Sequence, residues 1–194
     1  MRTSIPLSAV ASLVAFGGEA FGGDFIEEKL ELGSWVVPVH DVGEFPTLTI
    51  EIDVVGNNQP VVGFQFDMDF VNVFHDSSWA SDLEFKITTP DGGTFIVGQE
   101  EFNGGDPFGP QDDIWDFDGP KSDPTGHYTS DHFPSAWTGG IEKGGRWTFM
   151  LADTWDGGVE YNNMSVTLLK IPSPAPLALI GLWGLATRRR RRTS

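Results

Sequence analysis

Between residues 61 and 73 the chain alternates almost without a break. Phe64, Phe66, Met68 and Phe70 fall on one parity, and Gln65, Asp67 and Asp69 on the other. In an extended strand a period of two sends the rings to one face and the carboxylates to the opposite one. Such a segment settles only with one side on a core and the other in water. The same alternation recurs in Thr47–Val54, where Leu48, Ile50, Ile52 and Val54 share a face, and in Leu83, Phe85 and Ile87.

Turn chemistry separates these runs. Pro90-Asp-Gly-Gly93 leads into Thr94-Phe-Ile-Val97 and reads as a hairpin turn, and residues 56–60 (Gly-Asn-Asn-Gln-Pro) read as a loop. Residues 35–39, 146–152 and 164–169 supply further strands, the last two flanking Asp153-Thr-Trp-Asp-Gly-Gly158. Residues 21–34 read instead as a lead-in with a frayed helix around Glu27, Glu28 and Glu31. Residues 98–134, rich in Gly, Pro and Asp, read as a long excursion, either the functional surface or a disordered stretch. With 24 glycines, 13 prolines, 15 phenylalanines and no confident helix, the pattern predicts an all-β fold, an antiparallel β-sandwich of jelly-roll type. The domain is expected over residues 35–171, as a single core.

Both ends look like addresses. Arg2, the apolar stretch 5–16 and the small residues Gly17, Gly18 and Ala20 suit a secretory signal over residues 1–20. Without Arg2, Glu19 and the five terminal arginines, residues 21–171 hold 6 basic against 27 acidic side chains, a net −21. Nucleic acid and anionic lipid would repel such a surface, and cations would be drawn to it. The absence of cysteine leaves burial as the source of stability.

The C-terminus has three parts: Pro172-Ser173-Pro174-Ala175-Pro176, an uncharged apolar run 177–186, and Arg188, Arg189, Arg190, Arg191 and Arg192. The apolar run is well short of the roughly 20 residues of a stable membrane span. The arginines stay cytoplasmic, leaving everything before Pro172 outside. A simple tail anchor is the alternative reading. In order and composition, residues 172–194 resemble the PEP-CTERM sorting signals of bacteria, with Pro-Ser-Pro-Ala-Pro where the commonest form has Pro-Glu-Pro. The resemblance implies a short sorting helix, processing by an exosortase-type membrane peptidase, and transient inner-membrane association before delivery to the cell surface or extracellular matrix of an exopolysaccharide-producing, double-membraned bacterium, a biofilm setting.

A second resemblance runs through residues 40–169. Trp79-Ala-Ser-Asp82-Leu83-Glu-Phe85-Lys-Ile87-Thr-Thr-Pro90-Asp-Gly92-Gly-Thr94 and Gly145-Arg-Trp147-Thr-Phe149-Met-Leu151-Ala-Asp153 are similar to the P domain found behind proprotein convertases and bacterial secreted proteases. Ser81 stands where that family has glycine, and Met164 where it has tryptophan. The resemblance implies a jelly-roll accessory module for a separate secreted hydrolase.

No nucleophile elbow occurs in the chain, and His40, His75, His127 and His132 match no standard metal spacing, so they read as solvated loop histidines and the protein as non-catalytic. Two carboxylate groups are candidate calcium sites, because hard cations take several loop oxygens. One is Asp82, Asp153 and Asp156; the other is Asp116 and Asp118, with Asp112 and Asp113 beside them. Plain solvated charge is the alternative for both. Trp115, Trp137 and Trp155 lie in loop-like segments, where they either stack on the sugars of an exopolysaccharide or cap the core.

Overall fold

The computed structural model describes residues 25–41, 43–55, 59–73, 78–98, 107–117, 125–137 and 144–172, together with the backbone of 12–14. The strands are β1 (Ser12–Val14), β2 (Ile26–Val37), β3 (Thr47–Val54), β4 (Val61–Asn72), β5 (Leu83–Thr88), β6 (Thr94–Gly98), β7 (Asp113–Ile114), β8 (Gly126–His132), β9 (Gly145–Asp153) and β10 (Val159–Lys170). They form two five-stranded sheets, β1-β2-β10-β4-β8 and β3-β9-β5-β6-β7, antiparallel throughout except for β6 with β7. From β2 onward the chain changes sheet at every connection except β5–β6–β7. The fold is a β-sandwich, and no α-helix occurs among the described residues.

The alternating segments do what their period requires. Phe64, Phe66, Met68 and Phe70 of β4 are fully buried, while Gln65, Asp67 and Asp69 lie on the outer face. Leu83, Phe85 and Ile87 of β5 meet Trp147, Phe149 and Leu151 of β9 in one core. Each such side chain withdrawn from water contributes about 1.5–3 kcal/mol before chain entropy is charged against it. The hairpin turn between β5 and β6 forms where it was expected, with Gly92 at φ 90°, a left-handed conformation that glycine adopts without strain.

Two expectations are corrected. Residues 26–34, read as lead-in and frayed helix, belong to β2, a 12-residue strand that pairs with β10 over most of its length. Leu30 and Leu32 are buried and their neighbours Lys29 and Glu31 exposed, so tertiary pairing overrides the helical preference of a Glu-rich run. The excursion 98–134 is not bare loop either. It contains β7 and the full strand β8, whose inward residues Tyr128, Ser130 and His132 carry too little hydrophobicity to announce a strand.

Both ends of the domain leave from one pole. Ile26 opens β2 opposite Lys170, which closes β10. At that pole an inner-face position is taken by Lys170, 0% exposed, bound to Glu28. Phe25, Val62 and Leu169 form a small apolar cluster beside it, with the Phe25 and Phe133 rings 6.3 Å apart. Ile171 and Pro172 are exposed as the chain departs. Of the expected signal 1–20 only β1 is described, lying on the edge of β2. Beyond Pro172 the expected sorting tail falls outside the described residues, as do His75 and Asp118.

Candidate functional site

At the opposite pole three of the singled-out carboxylates come together. Leu83 of β5 pairs with Asp153 of β9, so Asp82, one residue earlier, faces the end of β9. The ladder continues one step further, with Thr154 N donating to Asp82 O at 3.0 Å. Asp156 follows in the short β9–β10 loop. This loop is pressed against residues 38–40: His40 N donates to Asp156 O at 2.9 Å, and Gly157, at φ 68°, leaves no room for a Cβ, which would stand 2.2 Å from Pro38 O.

Asp153 is fully buried and its two oxygens are occupied. Oδ2 accepts from Tyr161 Oη at 2.8 Å, and Oδ1 lies 3.1 Å from His40 Nε2 and accepts from Trp155 N at 3.3 Å. His40 Nδ1 lies 3.1 Å from Asp41 O. Both ring nitrogens thus face oxygens, one of a carboxylate and one of a backbone carbonyl. Asp82, 3% exposed, accepts from Trp79 N at 2.6 Å through Oδ2. Burial, and then the charges of Asp153 and Asp156, push its carboxyl up to about 7 against the opposing pull of the Trp79 amide. Burial likewise raises Tyr161 well above the usual phenol, so it stays a donor to Asp153. Ser78 Oγ donates to Asp156 Oδ1, and Asn72 Nδ2 to Ser78 O at 2.9 Å.

What this cluster can do follows from its occupancy. A raised Asp82 carboxyl, the His40 ring and the Tyr161 hydroxyl against Asp153, and the Ser78 hydroxyl on Asp156 meet most of the needs of three crowded carboxylates. Among the described residues no group of three or more His, Asp or Glu converges so as to hold a metal ion. Of the second predicted calcium group, Asp118 lies outside the described residues; Asp112 Oδ2 accepts from Ile96 N at 3.0 Å, Asp113 Oδ2 lies 2.8 Å from His132 Nδ1, and Asp116 is exposed.

The histidines need correcting as well. Only His127 of the three described is solvated; its side chain is 60% exposed between Asp67 and Asp69. The His40 and His132 side chains are 5% and 1% exposed. His132 sits between Asp113 and Ser130, whose Oγ is 2.9 Å from Nε2 and accepts from Asp116 N at 3.0 Å. The order serine, imidazole, carboxylate is that of a hydrolytic relay, but Ser130 is 2% exposed, and Phe64, Phe95 and Trp115 ring His132. These bonds stitch β8 to the β7 segment and close that side of the sandwich.

Trp115 and Trp137 are 4% and 2% exposed and belong to the core, with Trp115 Nε1 donating to Leu83 O at 2.6 Å. Neither offers a face to a sugar, which is the core-cap alternative. Trp155 is half-buried at the carboxylate pole, and Trp79 beside it is 39% exposed. Sequence reasoning missed His40, Ser78 and Tyr161 as members of this pole. Tyr161 is out of parity with Met164, Val166 and Leu168 because the bulge at 162–164 intervenes, so the alternation gave no inward signal for it.

No protein-family model matches the chain, and no match to a curated protein is found. No helix among the described residues is long and apolar enough to cross a membrane.

Proposed function

We propose that this is an exported, non-catalytic β-sandwich of jelly-roll, P-domain-like type, carried through the inner membrane by its N-terminal signal and processed at a PEP-CTERM-like tail by an exosortase-type peptidase. It then acts at the cell surface or in the extracellular matrix. The observation that supports the reading is the position of the tail junction. Pro172 stands two residues past the end of β10 and is exposed. Three prolines over five residues keep such a junction extended and open to a peptidase. Replacing Pro172, Pro174 and Pro176 by Ala tests it: the unprocessed chain is expected to accumulate in the membrane fraction. Unchanged release into the medium would contradict a proline-read signal.

A second reading has one observation in its favour. Asp82, Asp153 and Asp156 crowd at the pole farthest from the tail, and a calcium ion would offset both the burial of Asp82 and the repulsion of its two neighbours, which together raise its carboxyl. It would have to compete with His40 and Tyr161 for Asp153. A rise in melting temperature with millimolar calcium, lost in Asp82→Asn and Asp153→Asn, is the expected result of this reading. A wild-type melting temperature indifferent to calcium removes it.

A further inference from the structure

The four strand edges of the sandwich are not equally protected. On the β8 and β7 side the two sheets are joined by the His132–Asp113 and Ser130–Asp116 bonds. On the other side, β3 carries the exposed Glu51 and Asp53 with Arg146 reaching over both, a charged fringe that discourages a further strand. The outer edge of β2 differs in kind, its exposed charges being the mixed pair Lys29 and Glu31 rather than a mainly acidic row. Among the described residues its only partner is β1, which covers three residues, Glu27, Glu28 and Lys29. Among the described residues, Leu30 to Val37 pair along this sheet with β10 alone.

β1 shows that this edge accepts an antiparallel strand, and it belongs to the segment that export would remove. We propose that β2 is a strand-acceptor edge whose occupant, once the leader is gone, is β2 of a second copy of this chain, joined antiparallel about a two-fold axis. This rests on the export reading, since the leader must leave to free residues 27–29.

Charge selects the register. For the two sandwiches to lie on the same side of a continuous sheet, inward residues must face inward residues, so the axis passes through a residue and its own copy. Centred on Lys29, the pairing sets Lys29 against Lys29 and Glu27 against Glu31. Centred on Glu31, it sets Glu31 against its copy. Centred on Leu30, it sets Lys29 of each copy opposite Glu31 of the other, twice, with Glu27 opposite Gly33 and no like charges facing. Lys29 and Glu31 are about half exposed, on the solvent face, and already 3.5 Å apart within one chain. Opposed charges across a strand pair stabilise it and like charges destabilise it. Gly33 at φ 86° and Asn163 at φ 52° form the bulge that turns β2 beyond this stretch, so the paired region ends there.

Sedimentation velocity across a concentration series tests the proposal, comparing the processed chain with the full-length chain. The processed chain is expected to dimerise reversibly and the full-length chain, with β1 on the edge, to stay monomeric. Lys29→Glu and Glu31→Lys should each weaken the dimer at least tenfold, and the two together should restore it, because the exchanged charges again face their opposites. A processed chain that is monomeric throughout overturns the proposal, and so does a dimer that ignores the single reversals or is not rescued by the double one. Intact mass separates this failure from failure of the export reading. Retention of residues 1–20 in the mature protein sinks both, whereas a correctly processed monomer sinks only the dimer.

Discussion

Asp82 shows how one residue reports on the pole it occupies. Its carboxyl is raised to about 7, first by burial and then by its two acidic neighbours, so the folded chain holds this proton more tightly than the unfolded chain does. The stability it contributes is complete below the ordinary carboxylate range near pH 4 and is lost as pH rises through 7. Asp82→Asn keeps an acceptor for the Trp79 amide and has no charge to lose. The melting temperature of the wild type is therefore expected to drop more between pH 5 and pH 8 than that of the variant. At about 2–4 °C per kcal/mol in a domain of this size, calorimetry resolves the gap; an equal drop in both would contradict the assignment. Gly157→Ala at the same pole meets Pro38 O and a left-handed backbone together, and is expected to cost roughly 2–4 kcal/mol in urea unfolding. The meeting of Asp82 with Asp153 was anticipated only through the strand pairing that the P-domain resemblance implies, since alternation alone does not say which strands are neighbours. His40 was not, because only the folded loop 154–158 brings residues 38–40 to it.

Among the elements, β10 and β4 carry the most pairing, and the end that β10 shares with β2 holds the ion pair of Lys170 with Glu28. Lys170→Met strands a carboxylate that is 12% exposed, at a cost of roughly 3–5 kcal/mol. Adding Glu28→Leu is expected to recover most of that loss. A single substitution as mild as the double would mean that the pair is solvated rather than buried. β2 also explains where sequence reading fell short. Ile26, Leu30 and Leu32 alternate, but Glu27, Glu28 and Glu31 between them fit a helix as well, and only the neighbouring strand decides. β8 was hidden for the opposite reason: its inward positions are held by hydrogen bonds from Ser130 and His132, which leave no hydrophobic period.

For the whole molecule, the register of β2 with β10 gives the domain two poles. Residues 26 and 170–172 lie at one, and the Asp82, Asp153, Asp156 and His40 cluster at the other, so a chain held by its tail presents the cluster away from the membrane. Alternation made the sandwich legible from β3 to β6 and in β9. The tail's proposed role rests only on an order of proline, apolar and arginine segments. The measurement that tests the account most directly is the intact mass and terminal sequence of the protein recovered from its own cells and medium. The account predicts a chain beginning near Phe21 and ending near Pro172. A chain that keeps Arg188 to Arg192 and stays in the membrane fraction would contradict it.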